Sequence, residues 1–205
     1  MLMTKQEQFL TIFKAAQRTF GNDNTRLAGD GWPEGWQLVV TTIMSAQSRD
    51  ETTIPIAEGL FKKFPTLEAL SKASYKDLLS ALKSLNYNKT KAKHILQTAK
   101  LLQTEHKGSV PDTIDVLLTL PGVGRKTANL VISELYGKDG ICVDTHVHRI
   151  SNVLGLVKTK TPQQTESALQ KLAPKEYWSQ INRLFVLWGK KVPGTDKKKL
   201  LAALK

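Results

Sequence analysis

Cysteine is nearly missing from this chain. Cys142 stands alone among 205 residues, so no internal disulfide can form, and no metal or iron–sulfur site made only of cysteines can be held. Long apolar runs are missing too: nothing approaches the roughly 18 uninterrupted apolar residues that a membrane-spanning helix needs. The opening MLMTKQEQFL lacks the apolar core and small-residue cleavage site of a signal peptide, so an intracellular protein is expected. Acidic residues are scarce. Eighteen Asp and Glu stand against 30 Lys and Arg, a formal net charge of +12. That surplus points to a polyanionic partner, with nucleic acid the first candidate and an acidic membrane surface the second.

Strand-like alternation is equally scarce, whereas helical periodicity runs through most of the chain. In residues 4–20, Phe9, Ile12, Phe13, Ala16 and Phe20 make an amphipathic stripe. Similar patterns fill roughly 36–47, 51–63, 74–84, 89–106, 112–119, 123–136, 145–155, 162–172 and 176–189, separated by short Pro-, Gly- and Asn-containing turns. The fold class predicted is therefore all-α. The Gly/Asp/Lys loop at 137–140 and the four-glycine stretch at 21–35 are the best breaks. They predict a middle domain, 28–137, that contains a helical hairpin at 112–136. A second domain would then be built from both chain ends, 1–27 plus 138–205. The C-terminal segment from Lys197-Lys198-Lys199 onward reads as a solvated basic helix end, and His94 and His106 as surface residues of a lysine-bearing helix.

The stretch LPGVGRKTANLV, residues 120–131, breaks a local rule. A proline and two glycines make a tight turn, and the helix after it opens with Arg125 and Lys126. Helix N-termini carry partial positive charge, which disfavours cations there. An anion resolves the conflict. Glycines let the backbone approach another molecule, the unpaired N–H groups of the new helix form an anion site, and a phosphate neutralises both cations. A helix–hairpin–helix gripping a nucleic-acid backbone accounts for Gly122, Gly124 and Arg125 together; a plain helical hairpin remains the alternative. On the helical wheel Ala128, Val131, Ile132 and Leu135 share one side, and Lys126, Asn129 and Ser133 another. A positive helix end and a cationic neighbour both favour a neutral amine, which a nucleophilic lysine requires. A phosphate-binding lysine is the other reading of Lys126.

A second stretch, ICVDTHVHRI at 141–150, supplies a partner. After the apolar Ile141-Cys142-Val143, Asp144 and Thr145 read as the N-cap of a helix carrying Val147, Ile150 and Val153. Asp144 comes after Lys126 at a distance that lets a helix run out and the chain return. It is either a simple cap or a site carboxylate held by its cap. His146 and His148 sit at i and i+2, which on a helix do not share a face. A transition-metal site is therefore not expected.

Taken together, LPGVGRKTANLV and VDTHVHRISNVLGL resemble the endonuclease III branch of the helix–hairpin–helix DNA glycosylases. IMSAQSRD (43–50) and LNYNKTKA (85–92) match two further stretches of that branch in order, and the likeness spans roughly 30–190. The resemblance implies an all-α, two-domain fold with a six-helix barrel, a second helical domain from both termini and a DNA cleft between them. The implied activity is excision of damaged, typically oxidised, pyrimidines from double-stranded DNA, followed by strand cleavage by a protein expected to act as a monomer. Lys126 would be the nucleophile that forms a Schiff base, and Asp144 would stabilise positive charge on the sugar or deprotonate the amine. Gln47 would fill the gap left by the flipped nucleotide, Tyr87 would act as a wedge, and Gly122, Gly124, Arg125 and Thr127 would line the DNA-binding hairpin. Asn86 stands where the family more often has glycine. Backbone carbonyls of Leu118, Leu120 and Val123 would hold a structural monovalent cation, and no other cofactor is implied. The four-cysteine iron–sulfur loop of many relatives is missing. In its place, Lys190, Lys191 and Lys197–Lys199 are candidates for that loop's DNA contact. A monofunctional mismatch or alkylated-base glycosylase and a non-catalytic helix–hairpin–helix binding module are the rival readings.

Overall fold

The computed structural model describes residues 3–204, and every regular element among them is helical. Met1, Leu2 and Lys205, which the sequence assigns to the domain from the chain ends, lie outside the described residues. The helices are α1 (Lys5–Phe20), α2 (Gly35–Ser45), α3 (Asp50–Lys63), α4 (Leu67–Ser71), α5 (Tyr75–Ala81) and α6 (Asn88–Thr104). They continue with α7 (Ile114–Leu117), α8 (Arg125–Tyr136), α9 (Thr145–Val153), α10 (Pro162–Leu172), α11 (Trp178–Lys191) and α12 (Lys197–Ala202). A 3₁₀ turn at Lys175–Tyr177 precedes α11. The chain divides into two units, Arg26–Tyr136 and the described part of Met1–Thr25 with Gly137–Lys205. Among the described residues no helix is long and apolar enough to cross a membrane.

The unit 26–136 is organised around α2. Every residue from Trp36 to Met44 is buried, and a helix buried all round is one that others surround; α3, α6 and α8 pack on it. Its N-terminus is closed by a reciprocal pair, with Glu34 accepting from the helix and Gln37 reaching back to the Glu34 N–H. Helix α6 buries Lys91, Ala92, Ile95, Thr98, Ala99 and Leu102 along one face. Helix α4, inside a stretch without helical periodicity, packs on α6 through Leu67 and Leu70. Thr66 caps it by accepting from the Ala69 N–H at 3.1 Å. Five residues are too few to display a helical period, so only the cap and two leucines mark it.

In the other unit the predicted stripe of α1 is buried in full, and α1 packs on α10 and α11. Phe20 stacks near Trp188 at 6.5 Å, and Phe185 meets Trp188 edge-on at 5.6 Å. Helices α9 and α11 approach closely at Gly189, where a β-carbon would collide with the His146 ring. The C-terminal basic segment corrects the sequence reading. It is a packed helix, not a solvated end: Asp196 caps α12, Leu200 is wholly buried, and Trp188 Nε1 donates to the Leu200 carbonyl at 3.2 Å. One buried leucine among lysines leaves no stripe for periodicity to detect.

Candidate active site

The hairpin between α7 and α8 is built on one turn. Val123 N–H donates to the Leu120 carbonyl at 3.0 Å, with Pro121 second and Gly122 third at φ +82°, the residue order of a type II turn. A β-carbon at Gly122 would lie 3.0 Å from His94 and 3.1 Å from Ile43, so both conformation and space demand glycine. His94 is accordingly a half-buried support of the turn and not a surface residue, and His106 lies beyond the end of α6. The wholly buried Thr98 donates to the Pro121 carbonyl at 2.8 Å. Gly124 is different. It has no left-handed φ, and a β-carbon there would meet nothing within 4 Å.

Helix α8 starts directly after Gly124, whose carbonyl accepts from Ala128 N–H at 2.9 Å. Arg125 and Lys126 are therefore its first two residues, and both are exposed. Thr127 is buried, 8% exposed. Asn129 is also buried. The polar face predicted for α8 is thus open at its Lys126 end and closed one turn on.

Gln47 and Tyr87 share an unusual feature: each is a non-glycine residue in the left-handed region, at φ +53° and +57°. Gln47 lies just past the end of α2 and is exposed; Tyr87 is the residue before α6 and is 64% exposed. The structure brings the two loops together, because Asn86 Nδ2 donates to the Gln47 carbonyl at 2.6 Å. Tyr87, not Asn86, takes the positive φ, so the loop turns without a glycine. Lys91, which sequence reasoning passed over, lies just beyond. Its Nζ donates to the Met44 carbonyl at 2.7 Å and to Ser48 Oγ at 2.9 Å. Burial lowers its pKa to about 8. A lysine on the apolar stripe of α6 was the available signal.

Asp144 belongs to the other unit. It caps α9, with Oδ1 accepting from the Val147 N–H at 2.8 Å, and is half-buried. Arg149, one turn into α9, holds the end of α11: its guanidinium donates to the carbonyls of Gly189 at 3.1 Å and Val192 at 3.2 Å, and to that of Gly194. Burial lowers the Arg149 pKa, and the charge of Asp144 opposes that shift. The two histidines part company, His146 packing on Gly189 while His148 Nδ1 lies 2.6 Å from Thr165 Oγ1. Among the described residues no group of three or more His, Cys, Asp or Glu is placed to hold a metal ion. One cysteine, buried Cys142, cannot supply the thiolates of an iron–sulfur cluster. The carbonyls of Leu118, Leu120 and Val123 are a fitting donor type for a monovalent cation. That of Leu120, bonded to Val123 N–H, keeps a second lone pair.

An all-α fold in which a Pro–Gly hairpin opens a helix with two exposed cations is the layout of a helix–hairpin–helix DNA repair protein. Residues 40–175 match the family model of the HhH-GPD superfamily base excision DNA repair protein. The chain is 42% identical to the endonuclease III of Thermotoga maritima over 157 residues, 77% of this chain and 74% of that protein. It is similar to a solved non-covalent endonuclease III–DNA complex with a TM-score of 0.88 at 29% identity, covering 98% of this chain and 95% of that one. A trapped endonuclease III–DNA covalent intermediate aligns with a TM-score of 0.86 at 29% identity, over 96% and 91% of the two chains. The chain belongs to the endonuclease III family.

Proposed function

We propose that this chain is a DNA repair glycosylase with AP lyase activity that excises damaged, chiefly oxidised, pyrimidines from double-stranded DNA. The observation that carries the reading is the exposed Lys126 in the first turn of α8, directly after the hairpin, in a chain 42% identical to an endonuclease III. The Lys126 amine attacks the sugar carbon that bears the damaged base, and the base leaves. The nitrogen lone pair then opens the sugar ring by breaking the bond from that carbon to the ring oxygen, which takes up a proton, and a Schiff base results. It makes the neighbouring C–H acidic, and β-elimination expels the 3′ phosphate and breaks the strand on the 3′ side. Asp144 opposes positive charge developing on the sugar or takes the amine proton. Its cap uses Oδ1, which leaves the second carboxylate oxygen for that work.

Gly124, whose glycine nothing in the fold requires, leaves the start of α8 bare for a phosphate, to which Arg125 and the Thr127 N–H contribute. Gln47 fills the gap of the flipped nucleotide and Tyr87 stacks as a wedge. Leu118, Leu120 and Val123 carbonyls hold a monovalent cation at the hairpin. Its domains are a six-helix barrel, 28–137, that carries Lys126, and a second helical domain, 1–27 plus 138–205, that carries Asp144. Lys190, Lys191 and Lys197–Lys199, all exposed, replace the iron–sulfur loop as a basic DNA contact. The protein works as a monomer inside the cell, where its DNA is.

A panel of duplexes, each with one lesion (thymine glycol, hydroxycytosine, uracil or an alkylated purine), tests the reading. Base release coupled to strand cleavage on the oxidised pyrimidines is expected. Base release without cleavage would make it a monofunctional glycosylase, and binding without either would make it a module.

A further inference from the structure

A non-glycine residue in the left-handed region is strained by about 1 kcal/mol or more and persists where its surroundings over-determine it. At Gln47 the surroundings come from one short segment at the start of α6. Asn86 reaches across and donates to the Gln47 carbonyl at 2.6 Å. Lys91 brackets the same turn, bonding Met44 before it and Ser48 after it at 2.7 and 2.9 Å. The Met44 carbonyl lies in the last turn of α2, where carbonyls lack helical partners and the helix end is negative, so an ammonium suits it. Lys91 is only 4% exposed, and a buried ammonium is costly unless its hydrogen bonds are needed. An apolar side chain would complete the buried face of α6 at less cost. The hydrogen bonds to the turn are what a lysine adds.

We propose that Asn86 and Lys91 are positioning residues that clamp the left-handed turn and hold the Gln47 side chain presented, in register with Tyr87 on the same loop. The clamp rests on the reading of Gln47 as the residue that fills the gap of a flipped nucleotide. It makes insertion at the two loops one event, because the segment that carries Tyr87 also fixes Gln47. Loss of the Lys91 proton does not open the clamp, since a neutral amine keeps two hydrogens for its two acceptors.

The test uses the full chain and a duplex with a tetrahydrofuran abasic-site analogue opposite 2-aminopurine, so no chemistry is involved. Affinity and the 2-aminopurine emission of the complex are measured for Gln47→Ala, Asn86→Ala and Lys91→Met, singly and combined, with thermal midpoints alongside. Each single variant is expected to weaken binding about 3- to 30-fold and to shift emission in the same direction, and adding Asn86→Ala to Gln47→Ala is expected to change neither further. Asn86 is exposed, so its variant reports even if Lys91→Met folds poorly. An effect of Asn86→Ala that persists undiminished in the Gln47→Ala protein overturns the clamp, as does an emission unchanged by Asn86→Ala when Gln47→Ala alters it. Wild-type behaviour of Gln47→Ala instead removes the gap-filling reading, and the clamp falls with it.

Discussion

The buried Thr98 hydroxyl donates to the Pro121 carbonyl at 2.8 Å and so pins the hairpin turn to α6. Beside it His94 and Ile43 close the space around Gly122, while the space around Gly124 stays open. The two glycines of one motif therefore answer to different constraints: the fold demands the first and not the second.

Alanine at each position separates these constraints. Gly122→Ala must place a β-carbon at φ +82° and 3.0 Å from His94, and a loss of about 2 kcal/mol or more in urea unfolding is expected. Gly124→Ala should cost at most about 1 kcal/mol, the difference between the two as helix caps. DNA affinity should nevertheless fall about tenfold, since a methyl group keeps a phosphate from the helix N–H groups. Equal stability losses would show that both glycines serve the turn alone.

Lys126→Gln leaves a polar side chain one atom shorter and removes both the nucleophile and its charge. Borohydride reduction should trap wild-type protein on abasic-site DNA and fail to trap the variant, while binding weakens by about tenfold or less, the worth of one phosphate contact. Efficient trapping of the variant would move the Schiff base to another amine.

The buried ammonium of Lys91 sets a stability profile with a defined sign. Its pKa is about 8 in the folded chain and 10.5 ordinarily, so between these values the unfolded chain binds more protons. Stability then rises with pH. Below pH 8 both states are protonated and the full burial penalty stands; above 10.5 neither is, and it is gone. Lys91→Met lacks this titration, so the stability of wild type relative to the variant should grow across that window. Denaturant midpoints of both proteins at about pH 7 and pH 10 measure it. A constant difference would mean that Lys91 does not titrate there.

How far the sequence could be read depended on what kind of signal each element carries. The stripe of α1 and the Pro–Gly turn are periodic or stereochemical signals, visible in one chain. Helices α4 and α12 are too short for a period and hold through one or two buried leucines. Lys91 shows in the sequence as a lysine on an apolar stripe, but its role does not: its partners Met44 and Ser48 lie far along the chain, and only tertiary packing brings them near. Asn86 stands out in the sequence as a departure from glycine, but its bond to Gln47 depends on how α2 and α6 pack.

Leu200→Ala tests whether α12 is part of the fold. Leu200 is wholly buried, and its carbonyl accepts from Trp188, so truncation should cost about 2–5 kcal/mol. A solvated tail would lose no more than about 0.5 kcal/mol. The same variant should leave trapping on abasic-site DNA intact under conditions where it stays folded.

Asp144 combines a cap with a proposed chemical role, and asparagine divides them. Asn caps a helix about as well as Asp, so Asp144→Asn should lose less than about 1 kcal/mol of stability, while Asp144→Ala should lose about 0.5–2 kcal/mol. The carboxylate charge is absent from both. Single-turnover base release should therefore fall about a hundredfold or more in each, with Asn no better than Ala despite its intact cap. A role as cap alone would show as a rate that tracks stability, with Asn close to wild type. Rates that ignore the cap and track the charge would place Asp144 in the chemistry.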